Sequence, residues 1–126
     1  MEVLSIEGTK ITPTVLFDKS KGIISLSGLS RPEDGVKFYQ PLMDWMKRYV
    51  EEPNPSTVFT LKLEYFNTSS SKMVFSLISL LKNIQAKGLE VTVEWHYLEY
   101  DEDLLEMGQD YASIVPIPFK YIPCKE

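Results

Sequence analysis

Histidine and cysteine are almost missing from this sequence: His96 and Cys124 are the only ones in 126 residues. One thiol cannot close an internal disulfide, so the chain reads as a resident of the reducing cytoplasm. A zinc centre needs several His or Cys ligands at set spacing, which this pair cannot supply, and no metal or other cofactor is expected. No apolar run nears the roughly 18 residues of a spanning helix. Met1 to Lys10 lacks the charged-then-apolar order of a signal peptide. Basic runs are also absent. Thirteen Lys and Arg stand against eighteen Asp and Glu, a net charge of −5. Nucleic acid and anionic membranes attract basic faces, so both are excluded as partners. The glycine-rich phosphate loop, the dinucleotide fingerprint and the nucleophile elbow are absent too, and no enzymatic activity is expected.

What is present suits one domain over residues 1–126. The hydrophobic share is 44% and the charged share 25%, ordinary values for a packed domain. Val3 to Ile6 is a short apolar piece. Pro13 to Phe17 reads as an edge strand, since Pro13 cannot donate to a ladder. A turn at Asp18 to Gly22 leads into Ile23 to Ser27, which pairs back as a hairpin. Ser30-Arg31-Pro32-Glu33 has the form of a capping box. Behind it Val36, Tyr39, Leu42, Met43, Met46, Tyr49 and Val50 recur at helical spacing. Pro41 lies inside that pattern, where it should kink or break the helix.

Pro53-Asn54-Pro55 ends the helix. Thr57 to Tyr65 alternates as a strand, with Phe59, Leu61, Leu63 and Tyr65 on one face. A second helix is predicted from Ser70 to Lys87, with Met73, Val74, Leu77, Ile78, Leu81 and Ile84 as its core stripe and Gly88 as its stop. Leu89 to Tyr97 is a strand, Asp101 to Tyr111 an acidic helix, and Ile117 to Ile122 a last edge strand. The order predicts an α/β fold: a mixed sheet with helices packed on it, including a parallel strand–helix–strand unit from Thr57 to Tyr97.

Two places could carry chemistry. Glu99, Asp101, Glu102, Asp103 and Glu106 gather after a strand that holds His96. They read either as a solvated helix start or as part of a ligand site. The other place is Asn67-Thr68-Ser69-Ser70-Ser71-Lys72, four hydroxyls in a row between a strand and a helix. One hydroxyl would suffice as a cap. The segment sits beyond the carboxyl end of a strand and at the positive end of a helix, which suits an anion. A phosphate on Thr68 would add about −1.5 to −2 charges there. Ser69, Ser70 and Ser71 are alternative acceptors.

The run Leu63-Glu64-Tyr65-Phe66-Asn67-Thr68-Ser69-Ser70, with Lys72 after it, resembles the phosphoacceptor segment of the SiaC regulatory phosphoproteins. Four further features match in order: Gly8-Thr9 with Thr12-Pro13, Asp44-Trp45, Trp95-His96-Tyr97 and Pro118-Phe119. The resemblance implies a fold similar to STAS domains, the anti-sigma-factor antagonists. It also implies a phosphoacceptor at Thr68; Asn67, Ser69 and Ser70 are expected to shape the loop and cap the helix. A Ser/Thr protein kinase would add the phosphate and a PP2C-type phosphatase remove it. The unmodified form would activate a diguanylate cyclase, raising cyclic di-GMP and favouring biofilm. Arg31, Pro32, Glu33, Tyr39 and Trp45, around the first helix, are the expected partner surface. The competing expectation is an STAS-like anti-sigma-factor antagonist, or a small-ligand module built on His96 and the acidic cluster at 99–106.

Overall fold

The computed structural model describes residues 1–125. One six-stranded sheet organises the chain, its strands lying side by side in sequence order. Strands β1 (Leu4–Ile6), β2 (Thr14–Asp18) and β3 (Ile23–Ser30) form an antiparallel meander. From β3 onward, β4 (Ser56–Phe66), β5 (Glu90–Leu98) and β6 (Phe119–Cys124) run parallel. Parallel neighbours need crossovers, supplied by α1 (Gly35–Tyr49), by α2 (Thr68–Leu80) with α3 (Lys82–Ala86), and by α4 (Glu102–Ile114). Right-handed crossovers that always step in one direction put every helix on the same face of the sheet. Burial agrees: β4 buries Phe59, Leu61 and Leu63, whereas the alternate residues Val58, Lys62 and Glu64 are exposed and Thr60 is half-buried.

The core lies between that face and the helices. Val15, Phe17, Leu26, Phe59 and Val93 meet Leu42, Met46, Val74, Leu77, Ile78, Leu81 and Ile84 there, all with no exposed surface. Trp45 stacks on Tyr49 with centroids 5.1 Å apart, and its indole N–H donates to the Glu2 carbonyl at 2.9 Å. Trp95 fills the other end and donates to the Leu104 carbonyl at 3.0 Å.

Several sequence expectations need correction. Pro13 stands just before β2, and β2 pairs on both sides, so β1 rather than β2 is the edge. Ser30 caps no helix. It is the last residue of β3, and Asp34 caps α1 by accepting from the Lys37 amide at 3.0 Å. Val36 faces solvent at 61% exposure, one step off the apolar stripe. Pro41 sits on the exposed side of α1, which runs unbroken through it. The predicted Ser70–Lys87 helix starts earlier, at Thr68, and divides at Leu81, where the amide bonds three residues back to Ile78 instead of four. Gly88 ends α3 with φ +78°, a conformation that strains any residue with a Cβ. The acidic helix begins with Asp101 as its cap, whose carboxylate accepts from the Leu104 amide at 2.9 Å.

Candidate functional site

The hydroxyl segment is built by a change of register. Gly28 of β3 pairs with Leu63, but the next residue, Leu29, pairs with Tyr65, so Glu64 is an extra residue in β4. Such a bulge reverses the alternation beyond it. Tyr65 therefore turns outward at 52% exposure, and Phe66 takes the inward place at 7%. The expectation that Tyr65 shares one face with Phe59, Leu61 and Leu63 fails for this reason.

Asn67 then ends the strand and begins the helix. Its amide donates to the Ser30 carbonyl at 2.9 Å, and its side-chain oxygen accepts from the Ser70 amide at 2.9 Å. Its side-chain nitrogen reaches the Pro32 carbonyl at 3.5 Å. The residue thus caps α2 while tying it to the segment that leads into α1.

The four hydroxyls that follow have four different fates. Thr68, the first helical residue, is exposed and its hydroxyl makes no hydrogen bond among the described residues. Ser69 is exposed but donates to the Asn67 side-chain oxygen at 3.4 Å. Its side chain also fills the space where a Cβ on Gly35 would stand. Ser70 is fully buried and accepts from the Ser30 hydroxyl at 2.8 Å. Ser30 also shares a 2.6 Å hydrogen bond with Tyr39. Ser71 donates to the Thr68 carbonyl at 2.8 Å, and its own carbonyl accepts from Tyr111 of α4 at 2.8 Å.

The electrostatics favour an anion at the exposed end of this turn. The cap satisfies Ser70, which leaves the amides of Thr68 and Ser69 without an intrahelical acceptor. The helix dipole adds partial positive charge there. Lys72 is exposed four residues on, within side-chain reach along the helix. The phenols beneath stay protonated. Burial raises Tyr39 above the ordinary phenol range and pushes Tyr111 to about 12.

The expected partner residues divide. Arg31 and Glu33 are exposed on the loop before α1. Pro32 is buried, Tyr39 has no exposed surface and Trp45 has 7%. Tyr39 and Trp45 belong to the core between α1 and the sheet, and Pro32 is buried in the segment that leads into α1, so of the five only Arg31 and Glu33 are exposed. Sequence reasoning missed the roles of Ser30, Gly35 and Tyr111. Their partners lie 40, 34 and 40 residues away in the chain, at Ser70, Ser69 and Ser71. No local pattern announces contacts at that range.

His96 lies elsewhere, on the face of the sheet that carries no helix. Its Nε2 is 3.9 Å from Glu94, and its Nδ1 is 3.7 Å from the Cys124 sulfur. Partial burial, followed by the nearby Lys62 charge, lowers its pKa below 6.5, and Glu94 opposes the shift. An open cleft of about 540 Å³ runs past Ser27, Lys62, Glu64, His96, Leu98 and Cys124. Of the acidic residues at 99–106, Asp101 serves as the α4 cap, and Glu102 and Asp103 lie in its first turn. Among the described residues, no group of three or more His, Cys, Asp or Glu could hold a metal ion, and no helix is long and apolar enough to cross a membrane.

Comparison with known proteins adds to this geometry. The chain is 30% identical over 119 residues to an uncharacterized protein of Pseudomonas aeruginosa (strain UCBPP-PA14), covering 94% of each. It is similar to the crystal structure of apo-SiaC from Pseudomonas aeruginosa, with a TM-score of 0.85, 29% identity, and 97% of this chain and 99% of that one covered. It also matches SiaC as seen bound to the diguanylate cyclase SiaD, which that SiaC activates, with a TM-score of 0.89, 29% identity, and coverage of 96% and 99%. The family model for SiaC family regulatory phosphoproteins spans residues 6–124, and this chain belongs to that family.

Proposed function

We propose that the chain is a non-catalytic cytoplasmic switch in which phosphorylation of Thr68 controls binding to a partner. The partner is a diguanylate cyclase, activated by the unphosphorylated form. A Ser/Thr protein kinase adds the phosphate and a PP2C-type phosphatase removes it. The observation that carries this reading is the contrast within one turn of helix: of four consecutive hydroxyls, only that of Thr68 is exposed and unbonded. The SiaC of Pseudomonas aeruginosa bound to the cyclase it activates supports the choice of partner.

The energetics suit a switch. A phosphate on Thr68 adds three acceptor oxygens beside two free amides and Lys72, so the folded domain tolerates it. A partner covering the same shoulder must strip that phosphate of water. One desolvated like-charge clash costs several kcal/mol. That exceeds the roughly 1.4 kcal/mol needed for a tenfold loss of affinity. Arg31 and Glu33 stand exposed on the loop before α1 and are the proposed polar rim of the covered surface.

The test is direct. The wild-type chain, incubated with the kinase and ATP, is expected to gain one phosphate by intact mass, and Thr68→Ala none, while Thr68→Ala still captures the cyclase. An unchanged phosphate load on the Ala variant contradicts Thr68 as sole acceptor.

A further inference from the structure

We propose that Ser30, Tyr39 and Gly35 are positioning residues that make Thr68 the single acceptor, by keeping Ser70 buried and Ser69 bonded within the turn. The proposal rests on the phosphorylation reading and extends it to residues outside the loop. Ser30 closes β3 with its hydroxyl fully buried, and that hydroxyl bridges Tyr39 of α1 and Ser70 of α2 at 2.6 and 2.8 Å. No buried side-chain polar atom among the described residues lacks a hydrogen-bond partner, so the bridge is satisfied. Removing its central hydroxyl would take one buried partner from each of Ser70 and Tyr39 and leave their contact with each other as the remaining tie on the first turn.

Gly35 acts on Ser69. It is the first residue of α1, and its missing Cβ leaves the gap that the Ser69 side chain occupies. The two helix starts therefore meet side by side, and Ser69 is held between Gly35 and Asn67. Ser71 is turned back onto the Thr68 carbonyl, and Tyr111 anchors that turn from α4. A kinase needs the acceptor hydroxyl free to align with the terminal phosphate of ATP. In this geometry only Thr68 offers one.

Two arms test the lock. In the first, Thr68, Ser69, Ser70 and Ser71 are replaced by Cys one at a time in a Cys124→Ser background, and alkylation by iodoacetamide is timed by mass spectrometry. The thiol at position 68 is expected to react fastest and that at 70 slowest. Adding Ser30→Ala should raise the rate at 70 roughly tenfold and leave 68 unchanged. Equal rates at all four positions, or no response to Ser30→Ala, overturn the proposal. Should Ser30→Ala fail to fold, Tyr39→Phe removes one of the same two bonds while keeping the ring, and a smaller rise at 70 is expected.

In the second arm, peptide mapping after kinase treatment compares wild type with Ser30→Ala and Gly35→Ala. Phosphate is expected to spread from Thr68 to its neighbours in both variants, with circular dichroism showing each variant still folded under the assay so that global unfolding is not what exposes the serines. Phosphate confined to Thr68 in every variant overturns the lock. A wild-type chain that takes no phosphate overturns the switch reading instead, and the alkylation arm still decides the lock.

Discussion

Ser30 and Ser70 are 40 residues apart in the chain, yet their hydroxyls share a 2.8 Å hydrogen bond with no exposed surface on either residue. That bond joins the end of β3 to the first turn of α2, and Tyr39 joins it from α1. The candidate acceptor therefore sits on a turn held from below by β3 and α1. Under the proposed switch, such a scaffold would let a phosphate charge on Thr68, rather than a rearrangement of the domain, carry the signal.

Thr68→Ala is expected to leave stability nearly unchanged, within about 0.5 kcal/mol, because the side chain is exposed and its hydroxyl unbonded. Urea unfolding of wild type and variant checks this. A larger loss would mean that the hydroxyl serves the fold.

Asn67→Ala should destabilise the domain by about 0.5–2 kcal/mol through loss of the α2 cap. The tie to Pro32 is lost with it. The same urea experiment applies, and an unchanged midpoint would contradict the capping role.

Gly35→Ala should cost about 1–3 kcal/mol, the usual range for forcing atoms into a packed site. The added methyl meets the Ser69 side chain, so Gly35→Ala combined with Ser69→Gly should recover part of the loss. Failure of the second substitution to help would place the strain elsewhere.

Pro41→Ala should stabilise the domain by about 1–3 kcal/mol. The proline occupies an exposed position inside α1, where it removes one helical hydrogen bond and crowds the preceding turn. A rise in the thermal midpoint is expected, and a fall would show that the helix needs the proline's local geometry.

The pH response should carry the mark of His96. Its folded pKa lies below 6.5 because burial and then Lys62 disfavour the charged ring. Between the folded pKa and 6.5 the unfolded chain binds more protons, so stability rises with pH across that window. The His96 contribution is complete above 6.5 and is lost as pH falls through the folded value. Replacement by Gln should flatten the stability profile below pH 6.5, and an unchanged profile would assign the slope to other groups.

The secondary structure was legible because periodicity is local. The stripe Val74, Leu77, Ile78, Leu81 and Ile84 is buried as its spacing predicts, and the β2–β3 hairpin pairs as its turn predicts. The errors share a cause in long-range contact. Ser30 looks like a helix cap until β3 is seen to extend through it toward Tyr39 and Ser70. Tyr65 alternates in step with Phe59, Leu61 and Leu63 until the extra residue Glu64 in β4 turns it outward. Tyr39 and Trp45 lie at helical spacing that fits core as well as surface, and only packing against the sheet settles which. The position of Thr68 was readable from one strand and one helix, whereas its isolation among four hydroxyls depended on Ser30, Gly35 and Tyr111.

The most direct measurement is the affinity of the proposed diguanylate cyclase partner for two preparations of this chain, one bare and one stoichiometrically phosphorylated at Thr68, compared by calorimetry under one buffer. The bare form is expected to bind, and the phosphorylated form to bind at least roughly tenfold more weakly while keeping its fold. Equal affinity of the two forms would contradict the account.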